Sequence, residues 1–165
     1  MAWLPALPFE RGTTHDSGTL GGVPVTNLGA KILLGDGTVL QICKNTDSAA
    51  LSGCKLVDYE SPLSAGVCEA SGAGSKRLCG VVDPALANAG NTVPANALFY
   101  VVKKGVTYIL AGASVTVNTE LASHATDGTC SDAGDISGQV AKVFGVALAA
   151  TASGASVMAL VSFKG

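Results

Sequence analysis

The chain has 165 residues, a formal net charge of −2 and a pI near 5.5, so it carries neither the basic excess of a nucleic-acid face nor an acidic tail. Charged residues make up only 13% and aromatics 5%, while Ala and Gly supply 46 of the 165. The apolar content is therefore mostly small, too little charge is present for long disorder, and a chain of this length can bury a core without a metal or a disulfide frame.

Residues 1–30 read as an extended arm. Pro5, Pro8 and Pro24 block helix interiors, and Gly12, Gly18, Gly21, Gly22 and Gly29 interrupt regular elements. The stretch has no basic n-region and its apolar run is broken by proline, so it does not read as a secretion signal. Trp3, Leu4, Leu7 and Phe9 nevertheless make the arm apolar. Left bare they would be a liability, so they are expected to lie on the chain's own body or on a neighbouring subunit.

The body, 31–165, opens with two apolar runs flanking Gly35-Asp36-Gly37, a hairpin signal. Strands are then expected in 53–59, 77–83, 97–110, 114–121, 139–149 and 156–163, where Val, Ile, Thr, Phe and Tyr concentrate. A second hairpin is expected to turn at Lys103-Lys104-Gly105, and loops to occupy 60–76 and 124–138. Short helical turns fit only near 84–89 and 147–152.

Two stretches read alike. Gly80-Val81 falls on Gly145-Val146 and Lys104-Gly105 on Lys164-Gly165, which divides the body into quasi-repeats of about 37–105 and 105–165. This bears on the charge-free run 143–163, long enough to cross a membrane as a helix. Its counterpart contains Asp83, Pro84, Asn88, Asn91 and Pro94, so both copies read as strand, loop and strand. The fold expected is mainly β: a compact barrel or sandwich of two similar halves of about 60 residues.

The residues offer little chemistry. His124, Asp127 and Cys130 can be assembled on paper as a base, an acid and a nucleophile, but a polar surface loop explains them better. Ser52-Gly-Cys-Lys55 lacks the companion motifs of an S-x-x-K enzyme, and no G-x-S-x-G elbow occurs. There is no C-x-x-C and no H-x-x-x-H for zinc, and Asp127, Asp132 and Asp135 lack the spacing of a calcium loop. The glycine run 71–77 lacks Gly-Lys-Ser/Thr and its last position is Arg77. The cysteines, five in number, read as reduced and partly buried, with Cys43/Cys54 and Cys68/Cys79 sharing one spacing. No catalytic, cofactor or metal residues are assigned.

The order LGDGTVLQIC, LSGCKLV, LCGVVDPAL, ALFYVVKKGVTYIL, SVTVNTELAS and KVFGVALAATASGASVMALVSF, from about residue 30 to 165, resembles the small capsid decoration (cement) proteins of tailed bacteriophages. There a G-V-A phrase, a small-residue loop and an alternating strand close the chain, here Gly145-Val146-Ala147 through Phe163. The resemblance implies a non-enzymatic virion protein, made in the host bacterial cytoplasm and seated on the capsid exterior. Its partners would be the major capsid protein and other copies of itself, with no nucleic acid, membrane or cofactor. Trp3, Leu4, Leu7 and Phe9 are the candidate contact residues. Another virion or surface-layer role, or a carbohydrate-binding or adhesin module, is the alternative; one Trp and three Tyr leave the latter little to stack on sugar.

Overall fold

Burial alternates with period 2 along the last strand. In β14 (Ser156–Ser162) the side chains of Val157, Ala159 and Val161 point inward and their neighbours outward. The computed structural model describes residues 10–14, 19–20, 23–24, 28–60, 65–69, 77–135 and 142–164. Trp3, Leu4, Leu7 and Phe9 lie outside the described residues, as does most of the glycine run 71–77.

The remaining strands are β1 (Thr19–Leu20), β2 (Val23–Pro24), β3 (Lys31–Leu33), β4 (Val39–Asn45), β5 (Leu51–Ser52), β6 (Leu56–Tyr59), β7 (Gly66–Glu69), β8 (Leu78–Val82), β9 (Thr92–Val93), β10 (Leu98–Leu110), β11 (Glu120–Ser123), β12 (Cys130–Asp132) and β13 (Gly145–Ala147). One short helix, α1 (Pro84–Asn88), follows β8, with Asp83 as its N-cap and Pro84 in its first turn. The protein is thus mainly β. The stretch 143–163 holds β13, an irregular connection and β14; no helix among the described residues is long and apolar enough to cross a membrane.

The main sheet closes on itself. Its order is β12-β11-β13-β14-β10-β8-β6-β7-β4-β3, and β4 also pairs with β10. The strands β10, β8, β6, β7 and β4 therefore form a ring, joined at β4–β7 by a parallel pairing through Lys44↔Gly66 and Asn45↔Val67. Inside it lie Cys43, Val57, Val67, Cys79, Val82, Phe99 and Val101, with Leu51, Leu86 and Val93 in the same apolar cluster.

A second ring follows. β10 continues into pairing with β14, then β13, β11 and β12, and a parallel bridge from Ala111 to Cys130 joins the two ends. Ile109, Leu121, Cys130, Ala147, Val157 and Ala159 fill it. The two rings share β10, whose first half belongs to one and second half to the other.

The rings pair their residues in the same pattern. In the first, Leu56↔Val81, Val81↔Val102 and Val102↔Leu40 form a row across four strands. In the second the row is Glu120↔Val146, Val146↔Leu160 and Leu160↔Val106. The next row, Tyr100↔Ile42, matches Met158↔Tyr108. Gly80 and Gly145 occupy equivalent places and do one job. A Cβ on Gly80 would stand 2.5 Å from the Val102 carbonyl oxygen, and one on Gly145 2.6 Å from that of Leu160; each glycine lets its strand lie close against its neighbour. By this pairing Lys104 corresponds to Ser162, two residues from the place that sequence alignment gives it.

Several expectations are corrected. Lys103-Lys104-Gly105 is not a hairpin turn: β10 runs unbroken through it. The turn-like composition marks a bulge between Val102 and Lys104 on the β4 side, and Gly105, at φ +118°, packs on Thr38 where the strand passes between rings. Residues 114–119 form a bridge and turn rather than a strand, with Asn118 at φ +63°, and β11 starts only at Glu120. The expected loops 60–76 and 124–138 contain β7 and β12, too short to show a period. No helix forms at 147–152.

Residues 10–14 lie against α1. Arg11 grips Asp83 through both carboxylate oxygens, Nε at 2.7 Å and Nη2 at 2.6 Å, while Asp83 also accepts from the Ala85 N–H at 3.1 Å. Asn91 donates to the Gly12 carbonyl at 2.7 Å. Asp83 is 1% exposed, and the Arg11 fork satisfies the charge it buries.

Candidate interaction surface

Midway along the outward face of β10, β14 and β13 the side chains are apolar where a solvated sheet face is usually polar. Val106, Leu160 and Val146 stand side by side in one row, 53%, 50% and 38% exposed. Tyr108 and Met158 pair in the next, and Leu148, whose N–H donates to the Met158 carbonyl at 2.8 Å, continues it. Val143 lies at the rim of a shallow hollow of about 340 Å³ that includes Lys104, Val146, Leu160 and Ser162.

The matching face of the first ring shows what such a surface does when covered. Leu56, Val81, Val102, Leu40, Tyr100 and Ile42 are each 0–1% exposed. They share one apolar cluster with Ile32, Phe144, Phe163 and the filling of the second ring, Phe144 and Phe163 stacking at 4.9 Å between centroids. The two rings thus present the same rows of positions, one buried and one open. The open face has charge at its margins: exposed Glu120 on β11 at one side, exposed Lys104 on β10 at the other, and exposed Lys142 and Lys164 at the end beside Val143 and Ser162.

The polar groups inside the first ring bond to one another. Lys103 points inward and is 2% exposed. Its ammonium donates to the Tyr59 hydroxyl at 3.1 Å and to the Cys79 carbonyl, and the Tyr59 hydroxyl donates to Gln41 Oε1 at 2.9 Å. Burial lowers the Lys103 pKa and raises that of Tyr59. Cys43 and Cys79 bring their sulfurs to 3.9 Å, and burial pushes the Cys43 thiol well up. Sequence spacing paired these cysteines with others; the ring brings together β4 and β8 instead. The cluster escaped sequence reading because Lys103 reads there as part of an exposed turn.

The remaining sequence candidates separate. His124 Nδ1 accepts from the Thr126 N–H at 3.1 Å, inside its own turn. Cys130 lies in the filling of the second ring, its pKa pushed up to about 12 chiefly by burial, so the thiol stays protonated and enclosed. Asp132 accepts from the Thr116 N–H and the Thr119 hydroxyl. Among the described residues no three His, Cys, Asp or Glu side chains gather as metal ligands. Lys55 of the S-x-x-K match is paired with Glu69. The cysteines are all free thiols.

Fold and surface together describe a β protein whose distinctive feature is an open face. No family model and no curated protein matches the sequence. Among solved structures the chain is similar to the crystal structure of the head fiber gp8.5 N base in bacteriophage phi29. Identity is 18% and the TM-score 0.47, over 74% of this chain and 94% of that one.

Proposed function

We propose that the protein is a non-enzymatic structural component of a phage virion, seated on the outer surface of the capsid and stabilising contacts between major capsid protein subunits. The observation that carries this reading is the open apolar face: six large side chains in register, with polar groups confined to the margins. Surfaces of this kind are covered by other proteins in use. The resemblance of residues 30–165 to capsid decoration proteins supplies the context, and a low-charge exterior suits a protein packed against neighbours. Many weak seats on one lattice would add through avidity.

The arm is assigned the shell contact. Residues 10–14 are held by the Arg11–Asp83 grip; Trp3, Leu4, Leu7 and Phe9 precede them in the sequence, and tryptophan is favoured at interface anchors. The test is co-sedimentation of the purified protein with undecorated shells, followed by heating. Bound protein and a higher shell disruption temperature are expected, and deletion of residues 2–9 should cut occupancy. No binding by the full chain refutes the capsid role; full occupancy after the deletion refutes the anchor.

A further inference from the structure

We infer that the open face of the second ring is a self-association surface, on which a second copy of this chain packs face to face about a two-fold axis. The inference deepens the capsid reading, giving the open face to a second copy and leaving the shell contact to the arm, and its test needs no shells.

Three observations point to a second copy. The first is the inequality between the rings. Rows that match residue for residue are 0–1% exposed in the first ring and 38–53% exposed in the second, at Val106, Val146, Leu160 and Tyr108. The rows themselves pair alike in both rings; what differs at these positions is the cover.

The second is area. Val106, Tyr108, Val143, Val146, Leu148 and Leu160 are 38–53% exposed. At ~150–200 Å² for each whole residue they leave roughly 400–550 Å² of apolar surface, the upper end of what monomers carry. A specific interface needs about 800 Å² per partner. The patch supplies the apolar centre of one, and Ser156, Ser162, Lys104 and Glu120, exposed around it, supply a polar rim.

The third is charge placement. The row Glu120–Val146–Leu160–Val106 crosses four strands, about 14 Å at ~4.8 Å per step, with Lys104 two residues along β10 from Val106. A two-fold axis between the faces and parallel to the strands sets β10 of one copy over β11 of the other. Leu160 then meets Val146 of the second copy, Met158 meets Leu148, and Glu120 comes within reach of Lys104, twice per dimer. The sheets stack in the aligned manner, ~10 Å apart. Neither Glu120 nor Lys104 forms an ion pair within the described residues, so both are available. Under this rotation the Glu120 edge of one copy meets the Lys104 edge of the other, while Lys142 and Lys164 stay at the end of the face beside Val143 and Ser162.

The test is sedimentation equilibrium of the purified full chain without shells, at 50 mM and 500 mM salt, with circular dichroism confirming the fold of each variant. Wild type is expected to dimerise, more weakly at high salt. Leu160→Glu, which puts a charge at the centre, should raise the dimer Kd at least ~100-fold. Glu120→Lys alone and Lys104→Glu alone should each raise it about 10-fold, because two rim pairs turn repulsive. Combining both swaps in one chain should restore it to within about 3-fold of wild type. That rescue is specific to a copy-on-copy contact and does not depend on Leu160→Glu folding. A wild-type chain that stays monomeric, a dimer indifferent to Leu160→Glu, or swaps that do not rescue each other would each overturn the inference. A monomeric wild type whose Leu160→Glu variant stops binding shells would assign the face to the capsid protein instead. Failure to bind shells by a chain that dimerises as described would refute the capsid role alone.

Discussion

Gly80→Ala tests the closure of the first ring at its tightest seam. A Cβ at Gly80 would lie 2.5 Å from the Val102 carbonyl oxygen and 2.5 Å from Val101 Cγ1, against 3.4–4 Å for ordinary contact. The oxygen belongs to the backbone of β10, which both rings share, so it cannot turn aside as a side-chain tip would. Relief requires β8 and β10 to part by nearly an ångström. Overpacking of this kind costs about 1–3 kcal/mol, and a backbone neighbour puts the cost near 3. At ~2–4 °C per kcal/mol for a chain of this size, the melting temperature should fall by roughly 6–12 °C. The assay is thermal unfolding by circular dichroism together with urea denaturation. Gly145→Ala, whose Cβ would meet the Leu160 carbonyl oxygen at 2.6 Å, should behave the same way. Gly35→Ala, with nothing within 4 Å, should change stability by less than ~0.5 kcal/mol. If Gly80→Ala is as mild as Gly35→Ala, β8 and β10 are not packed as described and the ring argument fails.

Two further outcomes follow from the buried groups. Asp83→Ala removes a helix cap and both hydrogen bonds from Arg11; it should cost about 2–4 kcal/mol and speed tryptic cleavage after Arg11, whereas unchanged cleavage would mean that residues 10–14 are not held there. Cys130 has a folded pKa raised to about 12 by burial, above its ordinary value near 8.5. The native state keeps a proton that the unfolded chain releases, so the contribution of this thiol is complete below pH ~8.5 and is lost as pH rises through the interval to 12. Urea unfolding at pH 8 and pH 10 should show a Cys130→Ala variant losing roughly 2 kcal/mol less than wild type over that range. Lys103, its pKa lowered by burial, works in the opposite direction, so the variant difference is the quantity to measure. Equal pH dependence in the two proteins would show Cys130 to be solvated.

The parts of the fold that depend on neighbours in the chain were written in the sequence. Alternation of Val and Ala in 156–162 specifies a strand with one buried face; Gly35-Asp36-Gly37 specifies the β3–β4 hairpin; Asp83-Pro84 specifies the start of α1. Period, turn chemistry and capping are local, so local sequence suffices. The short strands β7 and β12 were not legible, because three or four residues carry no detectable period and both owe their form to partners distant in the chain. The turn expected at Lys103-Lys104-Gly105 failed for a related reason. The same residues serve equally for a bulge, and only the presence of β4 on one side and β14 beyond it decides between them. The contact residues of the arm, Trp3, Leu4, Leu7 and Phe9, lie outside the described residues, so the surface argued from structure is a different one. Its members look in sequence like any other core residues: Leu160 and Val102 occupy equivalent places in equivalent strands. Which of the two faces is covered depends on how the rings lean on each other. Exposure is a property of the assembled molecule, and no spacing along the chain encodes it.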